Sequence, residues 1–538
     1  MTTVPLPFPS SSALAIPVTW ARRGLVFWLA VMICGHAFVL NEPFVNQEVA
    51  FSEGARGLAE PDYPEGLTRY WRHQVNPLGY SVITAILRLV LHQSGTFWTA
   101  RLASLAGGAL ILVSGFFWFR KTGSLRADLF WLWGAVTTLC PLVWIFTGRG
   151  TADVLPVGIL CGAFTACWLA EGRWSRHWLA AGLLALATIV KYNSLLSGLG
   201  FLWLVMYGTG QMKLPLRTRL AQGALYGIVP GVCLGAYFAC VYWNFDVLFV
   251  QEQFRERHSP FADLPHFPAI LAAYSSYLVM LTGLLALVPL VSLWQPLRIR
   301  ARIVLGGCVL ALSTGAAAAL RGFDAGEMGF GGFDRMLPAQ VFLCLRGVFL
   351  MLAAACAVEF FRKAIVDEDE FCQFLLWALI PTLLISSCSR PAQRYLLAAV
   401  PWVFFALTVL TRRRTLRLTR WLGWMSVVGF CGLSAVGTVY SVARGRAADR
   451  MAHWVVDQGL AAETEPGDMR ADCDQYFPIT PPPAPKYVIQ PVPAEGAIHT
   501  EAVSIFGRSL RGFYLLPADH GATDRTPTAQ SPVAVPKR

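Results

Sequence analysis

The chain has 538 residues and a formal net charge of +12, and 55% of its residues are hydrophobic while only 14% are charged. Water-soluble domains carry about 25% charged residues, so this balance excludes an ordinary soluble protein. The Lys and Arg residues stand between apolar runs and form no separate basic domain. Membrane topology therefore accounts for the positive charge, and we expect no nucleic-acid partner.

Apolar runs follow one another along most of the chain. A helix that crosses a bilayer needs about 20 mostly apolar residues. The runs predict an all-α polytopic membrane protein with about 13 transmembrane helices. The predicted spans are 24–41, 97–119, 129–147, 154–170, 177–191, 195–208, 221–243, 269–294, 303–320, 340–361, 371–388, 395–411 and 421–441.

The orientation follows from the basic residues of the short loops, which mark the cytoplasmic side of a membrane protein. A cytoplasmic N-terminus places the basic loops inside, including the one that contains Arg412-Arg413-Arg414. The first apolar run is a retained helix rather than a signal peptide, because no small-residue cleavage site follows it. The sequence thus predicts an integral membrane protein whose active face and C-terminus are periplasmic or extracellular.

These boundaries predict the organisation of the chain. Residues 1–23 form a cytoplasmic N-terminus, and residues 24–441 form the transmembrane domain, whose first outer loop at 42–96 contains interfacial helices. The apolar stretch 78–92 must lie in the outer interface for the orientation to hold. Residues 442–538 are polar and Pro-rich, which predicts a small extramembrane domain with a few weak strands and a disordered tail after about residue 518.

Acidic residues are concentrated at the start of the first outer loop, where Glu42, Glu48 and Glu53 follow the first span. A carboxylate at the membrane edge is able to take a proton from an acceptor hydroxyl, or to hold a divalent cation beside a leaving phosphate. The structural alternative is that the three form a solvated helix face. Spacing alone does not separate the two interpretations.

One motif in this loop resembles a known signature. Gln47-Glu48, followed after six residues by Ala55-Arg56, resembles the Asp-Glu…Ala-Arg signature in the first outer loop of the C-type (GT-C) glycosyltransferase superfamily. That superfamily includes the protein O-mannosyltransferases and the aminoarabinose transferase acting on lipid A. Five further stretches resemble the same family in the same order: His73 to Tyr80, Ala100 to Gly107, Arg149 to Asp153, Lys191-Tyr192-Asn193, and Arg394-Tyr395-Leu396-Leu397.

The resemblance implies a membrane enzyme, in a bacterium an inner-membrane one, that transfers a sugar from a polyprenyl-phosphate donor to a lipid, glycan or protein acceptor on the extracytoplasmic face. Its other partners would be membrane lipids. The expected cofactor is at most a divalent cation, Mg or Mn, held by Glu48 and Asp153. The implied catalytic residues are Glu48, Asp153 and Glu42. The implied residues for substrate and phosphate are Arg149, Arg394, Tyr395, Lys191, Asn76 and His73.

The sequence departs from the family at Gln47, which stands where the signature has Asp. An amide takes no proton at neutral pH and binds cations weakly. Either Glu48, with Glu42 as second candidate, takes the acidic role, or the chain is a non-catalytic relative. A lipid or solute transporter of similar topology is a further alternative.

Structural alternatives also exist for the other implied residues. Asp153 at the start of a span is a suitable helix N-cap. Lys191 and Arg394 at membrane edges are placed to extend toward the headgroups without binding a substrate.

Overall fold

The computed structural model describes most of the chain, and the description that follows is confined to these residues. They are 18–45, 47–73, 76–92, 98–122, 127–208, 211–245, 264–294, 339–388, 393–409, 416–478, 482–491, 496–505 and 508–518, with scattered positions between 298 and 315. They are mostly helical.

Eighteen described helices are numbered here in chain order. They are α1 (Val18–Ala37), α2 (Glu48–Ala59), α3 (Glu65–His73), α4 (Gly79–Val90), α5 (Trp98–Lys121), α6 (Ala127–Leu139), α7 (Pro141–Thr147), α8 (Val154–Trp168), α9 (Trp174–Val190), α10 (Gly198–Tyr207), α11 (Leu216–Phe245), α12 (Phe267–Leu281), α13 (Leu287–Trp294), α14 (Ala339–Ile365), α15 (Glu370–Ser387), α16 (Val400–Val409), α17 (Leu416–Asp457) and α18 (Arg470–Cys473).

The chain divides into two compact units. The first unit contains Met1–Ala37, Ser104–Gly148 and Ala152–Ser434. The second unit contains Phe38–Ala103, Arg149–Thr151 and Ala435–Arg538.

The first unit and the long helix α17 contain the candidate membrane spans. Five described helices, α5, α11, α14, α15 and α17, are long and apolar enough to cross a membrane, and the number rises to seven if the bent pairs α6/α7 and α12/α13 each count as one span. These helices identify an integral membrane protein. The predicted total of about 13 spans stays a prediction, and the predicted span 303–320 lies almost wholly outside the described residues.

Two predicted spans are not the continuous helices that the sequence led us to expect. The run 129–147 bends by 63° between α6 and α7. Cys140 leaves the helical conformation there, with φ −54° and ψ 124°, because Pro141, the first residue of α7, lacks an N–H and disfavours a helical residue before it. The run 269–294 bends by 114° between α12 and α13. Gly283 adopts a positive φ of 60° at that break.

Helices α5 and α8 approach each other closely through glycines. A Cβ added at Gly158 would overlap the carbonyl oxygen of Gly107, and one added at Gly107 would lie 2.5 Å from the Leu155 Cα. Small residues at helix contacts let two backbones pack directly, which is the main source of helix association in a bilayer.

The second unit contains α2, α3, α4 and a four-stranded sheet. Its strands are β1 (Thr464–Glu465), β2 (Tyr487–Gln490), β3 (His499–Ile505) and β4 (Arg508–Pro517), in the order β1-β2-β4-β3. Strand β1 is parallel to β2, and the other pairs are antiparallel. The buried core joins the sheet to the end of α17 through residues such as Met451, Val455 and Leu515.

Two features of this unit bear on the predicted boundaries. Helix α17 continues unbroken to Asp457, past position 442, where the sequence placed the start of the C-terminal segment. Strand β2 lies in the segment 442–538, for which the sequence predicted a few weak strands. The tail after residue 518 lies outside the described residues.

The glycine contact between α5 and α8 gives a first testable prediction. Gly158→Ala forces the two backbones apart, and overpacking of this kind costs about 1–3 kcal/mol. Gly182→Ala on α9 is the matched control, because a Cβ there meets nothing within 4 Å. We expect the first substitution to lower the thermal unfolding midpoint in detergent and the second to leave it unchanged or raise it. Equal midpoints for the two variants would contradict the packing described here.

Candidate functional site

The first group of functional side chains surrounds Glu48, the first residue of α2. Its side chain is fully buried. Oε2 accepts hydrogen bonds from the Val45 N–H at 2.8 Å and from Arg101 Nη2 at 3.1 Å. Oε1 accepts from Arg101 Nε at 2.9 Å and from the Gly150 N–H at 2.6 Å. Four N–H donors therefore surround one carboxylate.

Arg101 extends this arrangement to the chain that leads into α2. Its guanidinium also donates to four backbone carbonyls, those of Val39, Leu40, Glu42 and Pro43. Gly150 approaches so closely that a Cβ there would lie 2.6 Å from the Ala100 Cβ, which explains a glycine at this position. We call Glu48, Arg101, Val45 and Gly150 the Glu48 cluster.

The stretch His73 to Tyr80 belongs to the same unit. The Tyr80 hydroxyl donates to the Ala100 carbonyl at 2.5 Å, one residue before Arg101. The Tyr70 hydroxyl donates to the backbone carbonyl of Asn76 at 2.7 Å. His73 is the last residue of α3, and its side chain lies outside the described residues.

Glu42 and Arg149 also belong to this unit. Glu42 accepts from Arg446 at 2.5 and 2.7 Å, and the side chain of Arg446 is 56% exposed. Arg149 donates to the Ser441 hydroxyl at 2.9 Å. Helix α8 begins only at Val154. Arg149 and Asp153 therefore do not share a helical turn.

The second group lies in the first unit and surrounds Asp153. Lys191 Nζ donates to Asp153 Oδ1 at 2.6 Å, and both side chains are more than nine-tenths buried. The ammonium lies 5.5 Å from the centre of the Tyr395 ring, within cation–π range. Arg394 is close enough to repel it electrostatically. We call these four residues the Asp153 cluster.

The local backbone explains why Lys191 is available for this pair. Helix α9 ends at Val190, and Lys191 adopts an extended conformation before a 3-10 turn over Tyr192–Ser197. Asp153 stands at the N-cap position of α8 but makes no capping hydrogen bond with its side chain. Neither simple alternative holds: Asp153 is not a side-chain cap, and Lys191 is buried in an ion pair rather than extended toward headgroups.

Glu53 is a buried acid whose partners the sequence did not reveal. The Tyr63 hydroxyl donates to it at 2.5 Å, Arg56 lies at 3.2 Å, and Arg69 lies at 3.7 Å. Arg69 also reaches Asp474 at 3.1 Å. Burial, reinforced by the hydrogen bond to Glu53, raises the pKa of Tyr63 to about 12. Since Glu48 and Glu53 are both buried, the solvated-face interpretation of these acids is wrong.

A divalent cation at Glu48 does not fit the geometry. Both oxygens of this carboxylate face N–H donors, and a cation requires lone pairs that are turned toward it. Within the described ranges, no three His, Cys, Asp or Glu side chains are grouped so as to hold a metal ion. A metal role for Asp153 stays a prediction.

Comparisons with known proteins give a distant structural likeness. No protein-family model matches the chain, and no curated protein matches it. The chain is similar to ArnT from Cupriavidus metallidurans bound to undecaprenyl phosphate, with 14% identity and a TM-score of 0.37 over 93% of this chain and 97% of that chain. For the apo state of the same protein the values are 15%, 0.38, 92% and 98%. At this distance no residue role is transferred from those structures.

The Glu48–Arg101 pair gives a second prediction. Removing one partner leaves a buried charge without its counter-charge, which costs about 3–5 kcal/mol. We expect Glu48→Leu and Arg101→Met each to lower the thermal unfolding midpoint strongly, and the double variant to lose less than the sum. Asp62→Asn, in an exposed turn of the same unit, is the control and should change little. Additive losses would show that the two side chains are not coupled.

Proposed function

We propose that this chain is a membrane glycosyltransferase. It takes a sugar from a polyprenyl-phosphate donor and transfers it, with inversion, to a lipid, glycan or protein acceptor on the extracytoplasmic face. The active face of an inner-membrane protein would then be periplasmic.

One observation carries the proposal: the six stretches chosen for family resemblance gather into two charged clusters. Gln47 to Arg56, His73 to Tyr80 and Ala100 to Gly107 meet around the Glu48 cluster, to which Arg149 to Asp153 contributes Gly150. The last of these stretches also contributes Asp153, which meets Lys191 and the Arg394-Tyr395 stretch in the Asp153 cluster. If the six stretches resembled the family only by chance, we would not expect them to contact one another in this way.

The Asp153 cluster supplies the chemistry for a phosphate. Lys191 is buried against the Asp153 carboxylate, and the half-buried Arg394 is close enough to Lys191 to repel it electrostatically. Positive charge that is fixed in advance stabilises the negative charge that develops on a departing phosphate. Arg394 adds several donors that match phosphate oxygens. In this proposal Asp153 holds the Lys191 ammonium in place.

The reaction requires a base as well as a phosphate site. The acceptor hydroxyl oxygen attacks the anomeric carbon of the sugar, the bond from that carbon to the phosphate oxygen breaks, and polyprenyl phosphate leaves with the bonding electrons. The hydroxyl proton passes to a carboxylate. We assign this role to Glu42, which pairs with the exposed Arg446 and whose side chain keeps 18% exposure.

Glu48 has a different role in this proposal. Its oxygens already accept four hydrogen bonds, so they are poorly placed to take a proton from a substrate hydroxyl. Glu48 instead fixes Arg101 and the backbone from Val39 to Val45, and so determines where Glu42 stands. It is a positioning residue.

Lys191→Gln tests the enzyme class and the phosphate role together. Cells that lack the chain are complemented with the wild type, with Lys191→Gln, or with Lys213→Gln, an exposed lysine in the turn before α11. Glycolipids and glycoproteins are then compared by mass spectrometry. We expect one sugar-bearing species to disappear without the chain and to return with the wild type and Lys213→Gln. Lys191→Gln should lower its rate of formation about 100-fold, the loss typical of a removed charge-stabilising group.

Two results would contradict the proposal. If no sugar-bearing species depends on the chain, a non-catalytic relative or a transporter is the better description. If Lys191→Gln restores the species as fast as the wild type does, the Asp153 cluster has no part in the reaction.

Glu42→Gln tests whether Glu42 is the base, and Glu501→Gln is its matched control. Glu501 also pairs with an exposed arginine, Arg450, and the two pairs have nearly the same exposure. Neither exposed pair should contribute more than about 1 kcal/mol to stability. We expect Glu42→Gln to lower kcat about 100- to 10,000-fold without weakening donor binding, and Glu501→Gln to leave kcat unchanged. Equal kcat values for the two variants would remove Glu42 from the chemistry.

A further inference from the structure

Four arginines of the first unit stand where two neighbouring helices begin. Arg173 and Arg176 belong to the turn into α9 and its first residues, and Arg217 and Arg219 belong to the first turn of α11. Helices α9 and α11 pack against each other. The chain from the end of α8 to Arg176 and from the end of α10 to Arg219 contains one acid, Glu171. We call the four arginines the arginine surface, and its net charge is positive.

Side-chain contacts hold the starts of the two helices together. The Gln222 amide on α11 donates to the Gly172 carbonyl, in the turn before α9, at 3.1 Å. His177 on α9 lies 3.0 Å from the Tyr226 hydroxyl of α11 and 3.2 Å from the amide nitrogen of Gln211. The side chains of these last three residues are buried. Packing therefore fixes the two groups of arginines beside each other, although they are far apart in the sequence.

The four guanidinium groups are presented in two ways. Arg173 and Arg217 are exposed, whereas Arg176 and Arg219 are half-buried. Each half-buried group donates through Nη1 to a backbone carbonyl at the end of a preceding helix, after α8 for Arg176 and in the last turn of α10 for Arg219. Within the described part of the chain, Arg219 Nε is a buried donor without an acceptor. The surface thus combines two anchored cations with two that face outward.

The arginine surface stands at the edge of an apolar, lipid-facing surface. Helix α11 is a candidate span, and Arg217 is its second residue. Ile228 follows Arg217 by eleven residues, close to three helical turns, and is 60% exposed. On α9, Trp174 and Trp178, which follow Arg173, are also exposed. Exposed tryptophans are typical of the boundary between membrane and water, so the arginines lie at the depth of lipid headgroups.

We propose that the arginine surface binds the phosphate of an anionic phospholipid, of which phosphatidylglycerol is the representative. Guanidinium groups match phosphate oxygens through several donors, and basic surfaces between membrane helices bind anionic headgroups. The exposed apolar side chains below the arginines contact the acyl chains of the same lipid. Such a site makes the stability of the chain depend on anionic lipid. It uses neither the Glu48 cluster nor the Asp153 cluster, so it stands or falls independently of the proposed function.

The experiment compares two double variants that lose the same charge. The test variant is Arg173→Gln/Arg217→Gln. The matched control is Arg298→Gln/Arg300→Gln, which removes two exposed arginines that follow α13. All four positions are exposed, so neither variant should unfold. Native mass spectrometry then measures the binding of phosphatidylglycerol, of zwitterionic phosphatidylcholine and of inorganic phosphate to each full-length protein.

We expect the test variant to bind phosphatidylglycerol about thirtyfold more weakly than the wild type, because each basic residue near an anionic headgroup contributes about fivefold to binding. Its binding of phosphatidylcholine should stay unchanged, and the control variant should bind both lipids as the wild type does. Unchanged phosphatidylglycerol binding in the test variant overturns the site. Equal weakening in the two double variants also overturns it, because net charge alone then explains the affinity.

Thermal unfolding of delipidated protein in detergent gives a second measurement. We expect phosphatidylglycerol to raise the midpoint of the wild type and of the control variant, because a ligand that binds only the folded state stabilises it. The test variant should start from the same midpoint and gain nothing from the lipid. A test variant that phosphatidylglycerol stabilises as much as the wild type contradicts the site. If inorganic phosphate raises the midpoint as much as phosphatidylglycerol does, with the same dependence on the arginines, the requirement for a lipid is overturned.

Discussion

The buried ion pair between Glu48 and Arg101 organises the segment between α1 and α5. Two charges removed from water are costly unless their remaining hydrogen-bonding groups are satisfied. Here the carboxylate accepts four hydrogen bonds, and the guanidinium also reaches carbonyls of the loop. The pair can therefore persist only while Val45, Gly150 and the chain from Val39 to Pro43 keep their positions. A single interaction thus determines the conformation of three separated segments.

The same rule about buried charge applies to the side chains of the first unit. Asp153 and Lys191 satisfy each other, and so do Glu359 and Arg362. Such pairs maintain the fold and place neighbouring groups.

Hydropathy predicts where apolar helices lie but not how their backbones run. Among the described residues, helices lie within the predicted spans, but hydropathy did not indicate the breaks at Cys140 and Gly283, because an average over a window does not register a single φ or ψ. The proline at 141 was a visible signal of the first break. The second break depends on Ser426 of α17, whose hydroxyl accepts from the Leu284 N–H at 2.9 Å, and no local pattern predicts that partner.

The sequence by itself determined the membrane class, the approximate helix positions and the identity of the candidate residues. Composition and the length of apolar runs are local properties, and the surrounding bilayer or water acts on them directly. Only the tertiary structure decided which acids are buried, and with whom. Glu48 meets Arg101 across 53 residues of chain, and Glu53 meets Tyr63 and Arg69 through the packing of α2 on α3. Whether a carboxylate acts as a base or holds a loop depends on such non-local donors, and their positions become fixed only when the helices pack.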